Sequence, residues 1–169
     1  MTTMDIQTEL PAQYHVLKRI AQRLRSQLGP GDTLSTTVIV HEAYSRLADQ
    51  PSLEVEGTAH LLAVCARAMR FVLIDQIRAK LSEKRGGGEL PYSTEGLQIA
   101  SLENPASLLA LHEALQQLQA VDERLVQMIE LRVFAGLDPQ QVADQLGVTV
   151  RTVQRDWRRA YAFLSTRLE

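Results

Sequence analysis

Six side chains in one short stretch, Arg151, Thr152, Gln154, Arg155, Arg158 and Arg159, are of the kinds that read and grip double-stranded DNA. Arg and Gln make bidentate hydrogen bonds to base edges in the major groove, and one such pair discriminates a base pair by ~1–3 kcal/mol. Arg151, Gln154 and Arg155 stand where a helix would first meet those edges. Arg158 and Arg159, a turn further on, suit phosphates, which add affinity and salt dependence without sequence information. A second basic set, Arg67, Arg70, Arg78, Lys80, Lys84 and Arg85, lies in the first half of the chain. The other reactive residue types form no site. Cys65 is a lone cysteine, and His15, His41, His60 and His112 have no metal-ligand spacing with it or with each other. Glu42 beside His41, and Asp75, sit among apolar residues without a nucleophile or phosphate loop nearby. No catalytic residue, metal or cofactor is expected, so the chain is not read as an enzyme.

The arginines of the first set need a rigid element to aim them, and the residues before them supply one. Asp138 can cap a helix with Pro139 at its first position, Val142 and Ala143 give it an inward face, and Gly147 permits a tight turn. Thr149 then caps a second helix, with Val153, Trp157, Ala160 and Leu164 inward and the arginines outward. This is a helix-turn-helix pattern. A plain helical hairpin with a solvated arginine face is the competing account. It leaves unexplained why Ala143, Gly147 and Val153 agree with the outward arginines.

Leu108, Leu111, Leu115 and Leu118 mark a further helix, and Asp122 caps another running to Gly136. In the first half, periodicity predicts helices from about Ala12 to Leu28, from Thr36 or Thr37 through Leu47, and from about Ala59 to Ser82. In the third of these Leu62, Ala66, Met69, Leu73 and Ile77 face inward, with Arg67, Arg70 and Arg78 largely on other faces. GGGELPYSTEGLQIASLENP, after KR, has no apolar period and reads as a linker, its glycines ending the helix before it. The expected architecture is all-α: two small helical domains, 1–85 and 107–169, joined by a flexible linker at 86–106, the C-terminal one a helix-turn-helix.

Length and composition agree. The 169 residues are 45% hydrophobic and 22% charged, with few aromatics, which fits a folded helical protein. No apolar run is expected to reach the ~20 residues that span a bilayer, and MTTMDIQTEL lacks a secretory signal's pattern, so no membrane partner is expected and a cytoplasmic location is. The net charge of −2 conceals a segregation. Residues 60–86 hold six basic against two acidic groups and 149–169 five against two, leaving seven basic against sixteen acidic elsewhere. Solvated helix faces explain single arginines but not two concentrated patches.

With these features in place, the chain resembles the bacterial extracytoplasmic-function sigma factors of RNA polymerase over nearly its whole length. LALHEALQQLQAVDERLVQMIELRVFAGLDPQQVADQLGVTVRTVQRDWRRA resembles the family's minus-thirty-five-binding domain. VHEAYSRL resembles its polymerase-binding helix, and AHLLAVCARAMRFVLIDQIRAKLSEKRGGG the helix that binds and melts the minus-ten element. The resemblance implies that residues 1–85 bind core polymerase and the minus-ten element and that 107–169 bind the minus-thirty-five element. It implies that Arg151, Thr152, Gln154, Arg155, Arg158 and Arg159 face the minus-thirty-five duplex, and that Arg67, Arg70, Arg78, Lys80, Lys84 and Arg85 line the minus-ten side. Thr37, His41, Glu42 and Arg46 would meet polymerase, whose clamp and flap regions are the implied contacts. The loop Gln50 to Thr58 takes the place of the family's base-reading loop, though it holds no aromatic residue and His60 is the nearest ring.

Two departures stand out. Only about eleven residues precede the first expected helix. The acidic run that most members carry before the polymerase-binding helix is here Ser35, Thr36, Thr37 and Val38, which marks a subgroup lacking that motif. A phosphate on Thr37, or on Thr36 or Ser35, would restore ~1.5–2 negative charges at a helix N-terminus, with a Ser/Thr protein kinase as the implied partner. Simple capping by the threonines is the alternative. The expected function is an alternative sigma factor that binds core polymerase and directs promoter-specific initiation. The alternative is a helix-turn-helix regulator that is not a polymerase subunit, which would need a symmetric dimer on half-sites rather than two unequal basic modules.

Overall fold

A computed structural model of the chain describes residues 5–26, 34–50, 53–83 and 105–168. The expected residues Lys84 and Arg85, and the linker up to residue 104, lie outside them. Eight helices make up the described residues: α1 (Ile6–Ala12), α2 (Tyr14–Arg25), α3 (Thr36–Ala48), α4 (Gly57–Glu83), α5 (Pro105–Val121), α6 (Glu123–Ile129), α7 (Pro139–Leu146) and α8 (Val150–Leu168). A wider, π-helical turn, Glu130–Phe134, extends α6.

The chain's start is helical where the sequence suggested a non-helical lead of about eleven residues. Asp5 caps α1 by accepting from the backbone N–H of Gln7, and its other oxygen accepts from the Thr8 hydroxyl. Leu10 anchors the helix in the core. Gln13 then separates α1 from α2, so α1 is a helix in addition to the one expected from about Ala12 to Leu28, which α2 forms from Tyr14 to Arg25.

Along α2, Leu17, Ile20, Ala21 and Leu24 are buried, the i, i+3, i+4, i+7 stripe of a helix packed on one side. They meet Ile39, Val40, Ala43 and Leu47 of α3. The cap of α3 is Ser35, whose Oγ accepts from the Val38 backbone N–H at 3.2 Å. It is not Thr36 or Thr37, because the helix begins one residue earlier than the periodicity alone indicated.

Helix α4 is the centre of the molecule. Leu61, Leu62, Cys65, Ala66, Met69 and Leu73 are buried toward α2 and α3, while Arg70 and Ile74 are buried as well, so more than one face of this helix is covered. The other side packs on α5, on α7 and on the π-helical turn, and the apolar side chains of both halves form one continuous core. Each fully buried Leu or Ile contributes ~1.5–3 kcal/mol through removal from water. This two-sided burial explains why 57–80 is long and apolar enough to cross a membrane, contrary to the expectation from sequence, while 67% of its most apolar window lies inside the fold.

In the C-terminal half, Leu108, Leu111, Leu115 and Leu118 of α5 are all buried. Asp122 caps α6 as expected, accepting from the N–H groups of Arg124 and Leu125.

Candidate nucleic-acid interface

The helix pair α7 and α8 has the local chemistry read from its sequence. Asp138 accepts from the Gln141 N–H at 2.8 Å while the Gln141 side chain accepts from the Asp138 N–H at 2.9 Å. These reciprocal bonds satisfy two donors that a helix start otherwise leaves unpaired. Gly147 ends α7 at φ +64°, a left-handed conformation that a Cβ disfavours. Thr149 Oγ1 accepts from the Thr152 N–H and so opens α8. Val142, Ala143, Val153, Ala160 and Leu164 are buried, and Trp157 is half-buried beneath the Arg132 guanidinium, 4.7 Å from its ring centroid.

That packing presents Arg151, Gln154, Arg155, Arg158 and Arg159 to solvent along α8, with Thr152 half-buried and hydrogen-bonded to Thr149. Sequence reasoning missed the residue between them. Asp156 is buried, and its carboxylate meets Arg124 from α6, Arg155 Nε at 3.3 Å and Arg159 at 3.6 Å. Arg159 also approaches Asp122 at 3.6 Å. One buried carboxylate thus orients two exposed arginines of α8 and pairs with a third, Arg124 of α6. The signal was present: Asp156 lies three residues after Val153 and four before Ala160, on the inward stripe.

The second basic set is divided. Arg78 is exposed and Lys80 half-buried on α4. Arg67 and Arg70 point into the seam between the two halves, where Glu130 of the π-helical turn receives them. Arg67 Nε and Nη2 donate to the two Glu130 oxygens at 3.0 and 3.3 Å, and Arg70 Nη2 donates to Oε1 at 3.1 Å. Arg70 is 1% exposed and Glu130 is fully buried. The Arg70 guanidinium also lies 5.6 Å from the Phe134 ring centroid and 5.9 Å from that of Phe71. Burial lowers its pKa to about 10, opposed by the Glu130 charge and reinforced by that of Arg67. For Glu130, burial pushes the carboxyl upward while Arg70 and Arg67 pull it back.

The residues expected to meet polymerase lie on α3. Thr37, His41 and Glu42 are exposed. Arg46 is half-buried and bridges to Asp75 of α4 at 2.8 Å and to Glu42 at 3.7 Å. Before α4, residues 53–56 lead into Gly57, and His60 is engaged there: its Nδ1 accepts from the Glu56 N–H at 3.1 Å. His60, Arg46, Arg67, Phe71 and Glu130 share the wall of a cleft of about 420 Å³ between the halves.

A further buried group, not singled out from sequence, sits on α5. His112 is fully buried edge-on to Phe71, with neither ring nitrogen hydrogen-bonded. Burial first, and then the charges of Arg70 and Arg78, lower its pKa from 6.5 to about 4, against the pull of Asp75. The unfolded chain therefore binds a proton here at a pH where the folded chain does not. Stability is present above about pH 6.5 and lost as the pH falls toward 4, by up to ~3 kcal/mol. His112→Phe should remove this acid-dependent part and stabilise the fold by ~1 kcal/mol at neutral pH, by eliminating unpaired buried nitrogens. Denaturant midpoints at pH 7 and pH 5 measure both effects, and equal pH slopes in the two proteins would refute the assignment.

The fold defines a class: an all-α protein whose last two helices, α7 and α8, meet at the Gly147 turn and carry an arginine-rich outer face. More narrowly, the chain belongs to the ECF sigma factor family, whose model matches residues 5–169. No curated protein and no solved structure matches it. It is accordingly a sigma factor that acts in transcription, with core RNA polymerase and promoter DNA as the partners this membership implies.

Proposed function

We propose that this sigma factor binds core RNA polymerase through α3 and reads its promoter with two separate surfaces. Residues 1–85 form the polymerase- and minus-ten-binding unit, 86–106 the linker, and 107–169 the minus-thirty-five-binding unit. In the C-terminal unit Arg151, Gln154 and Arg155 read bases, while Arg158 and Arg159 hold phosphates. The N-terminal unit turns Arg78 and Lys80, with Lys84 and Arg85 beyond them, toward the minus-ten side, and Arg67 and Arg70 join them once freed from Glu130. Thr37, His41, Glu42 and Arg46 engage the polymerase clamp, and the C-terminal unit engages the flap. The observation that carries the reading is the arginine face of α8 above a capped, glycine-turned helix pair, in a chain that matches this family from residue 5 to its end.

The start of α3 supports control by phosphorylation. Ser35 is committed as the cap, whereas Thr37 is exposed in the first turn, where no acidic residue stands. A phosphate there gains from the positive end of the helix dipole and presents negative charge to a basic partner. The modifying enzyme in this reading is a Ser/Thr protein kinase. Thr37→Asp should bind core polymerase about tenfold more tightly than Thr37→Ala in a fluorescence titration, the range in which a single well-placed charge pair works. Equal affinities would remove the gating idea and leave the sigma assignment in place.

A further inference from the structure

We infer that Arg67 and Arg70 form an anion site built for a nucleic-acid phosphate, and that Glu130 is its occupant when the two halves are closed on each other. The inference rests on the reading of these arginines as part of the minus-ten surface.

The geometry is that of an occupied phosphate site. Arg67 grips Glu130 with two N–H groups on two oxygens, and Arg70 adds a third bond to one of them. Guanidinium groups bind carboxylate and phosphate through the same bidentate fork. The occupant leaves the site incompletely satisfied, since Nε and Nη1 of Arg70 are buried without any hydrogen-bond partner. Unpaired donors on a buried cation are costly to leave unmade, so the closed seam carries two donors that a further anionic oxygen would satisfy. The adjoining cleft gives a strand access, since Arg67 lies on its wall and remains half-buried.

Beside the apolar core that both halves share, further polar contacts cross the seam. Glu123 meets Arg67 at 3.4 Å from a largely exposed position, and Arg23 of α2 donates to the Val133 carbonyl at 3.5 Å, the limit of a hydrogen bond. Glu130 and the promoter strand therefore compete for the same two guanidinium groups, and the protein's affinity for a strand is reduced by the fraction of molecules that are closed. Engagement of the minus-ten side requires the C-terminal half to leave α4, the same movement that separates the two DNA-reading surfaces along a promoter.

Glu130→Gln in the full chain tests this, with a mixed-sequence single strand of about 16 nucleotides as the probe. Two quantities are read: the radius of gyration of the free protein by X-ray scattering, and strand affinity by fluorescence anisotropy. The expected result is a larger radius than wild type together with roughly tenfold or tighter strand binding, the gain being lost again in Glu130→Gln/Arg67→Gln/Arg70→Gln. An unchanged radius overturns the latch itself. A larger radius with unchanged affinity overturns the phosphate site, and with it the reading of Arg67 and Arg70 as DNA-facing. Should Glu130→Gln lose its helical circular dichroism, hydrogen exchange on the unmodified chain decides. Bound strand must then speed exchange of the amides at 130–134, and unchanged or increased protection there overturns the proposal.

Discussion

Arg151→Ala combined with Gln154→Ala should weaken binding to the minus-thirty-five duplex by about 30-fold or more, since two base contacts of ~1–3 kcal/mol each are removed from exposed positions. Both side chains stand outside the packed face of α8, so folding should be untouched. The loss should concentrate in specificity: binding to unrelated duplex changes little, and the discriminated base pairs are those under the first turns of α8. Arg158→Ala behaves differently. It should weaken all sequences alike and reduce the slope of log affinity against log salt by about 1. Competition titrations at several salt concentrations measure both, and a double variant that keeps its sequence preference would displace α8 as the reading helix.

Ile39→Ala should be the most destabilising of the changes considered, at ~2–5 kcal/mol. Ile39 is fully buried where α3 seats on α2 and α4, and no neighbouring helix can close over the lost volume without moving the others. For a chain of this size each kcal/mol lowers Tm by roughly 2–4 °C. The functional consequence follows from the same contact: α3 carries Thr37, His41, Glu42 and Arg46, and loosening its seat should weaken polymerase binding in proportion to the unfolded or misaligned fraction. Calorimetry with a parallel binding titration checks the link, and normal Tm with lost binding would mean Ile39 acts otherwise.

Much of this architecture is legible in the sequence because its signals are local. Asp138, Pro139, Gly147 and Thr149 each specify their own few residues of backbone, and the structure has each of them in the expected role. The inward stripe of α5 follows from spacing alone. What escaped depends on partners distant in sequence. Arg70 was placed away from the apolar stripe of α4, yet it is buried because the π-helical turn carrying Glu130, sixty residues later, packs against that face. Asp156 was not singled out, although its position on the Val153–Ala160 stripe marked it as inward. Helix α1 was missed for a different reason: about two turns with Pro11 inside them show too little period, and Asp5 with Leu10 holds them in place.

Two arginine-bearing faces lie on one chain, one open on α8 and one closed against Glu130, with α3, the helix proposed to bind polymerase, between them and the N-terminus. The measurement that tests this most directly is transcription by purified core RNA polymerase on fragmented genomic DNA, with transcript 5′ ends mapped in the presence of the wild-type chain and of Thr37→Asp. The account predicts discrete start sites that appear only with this protein, share sequence blocks near minus thirty-five and minus ten, and vanish with Arg151→Ala/Gln154→Ala. No specific initiation with either protein, together with binding to symmetric half-sites as a dimer, would contradict it.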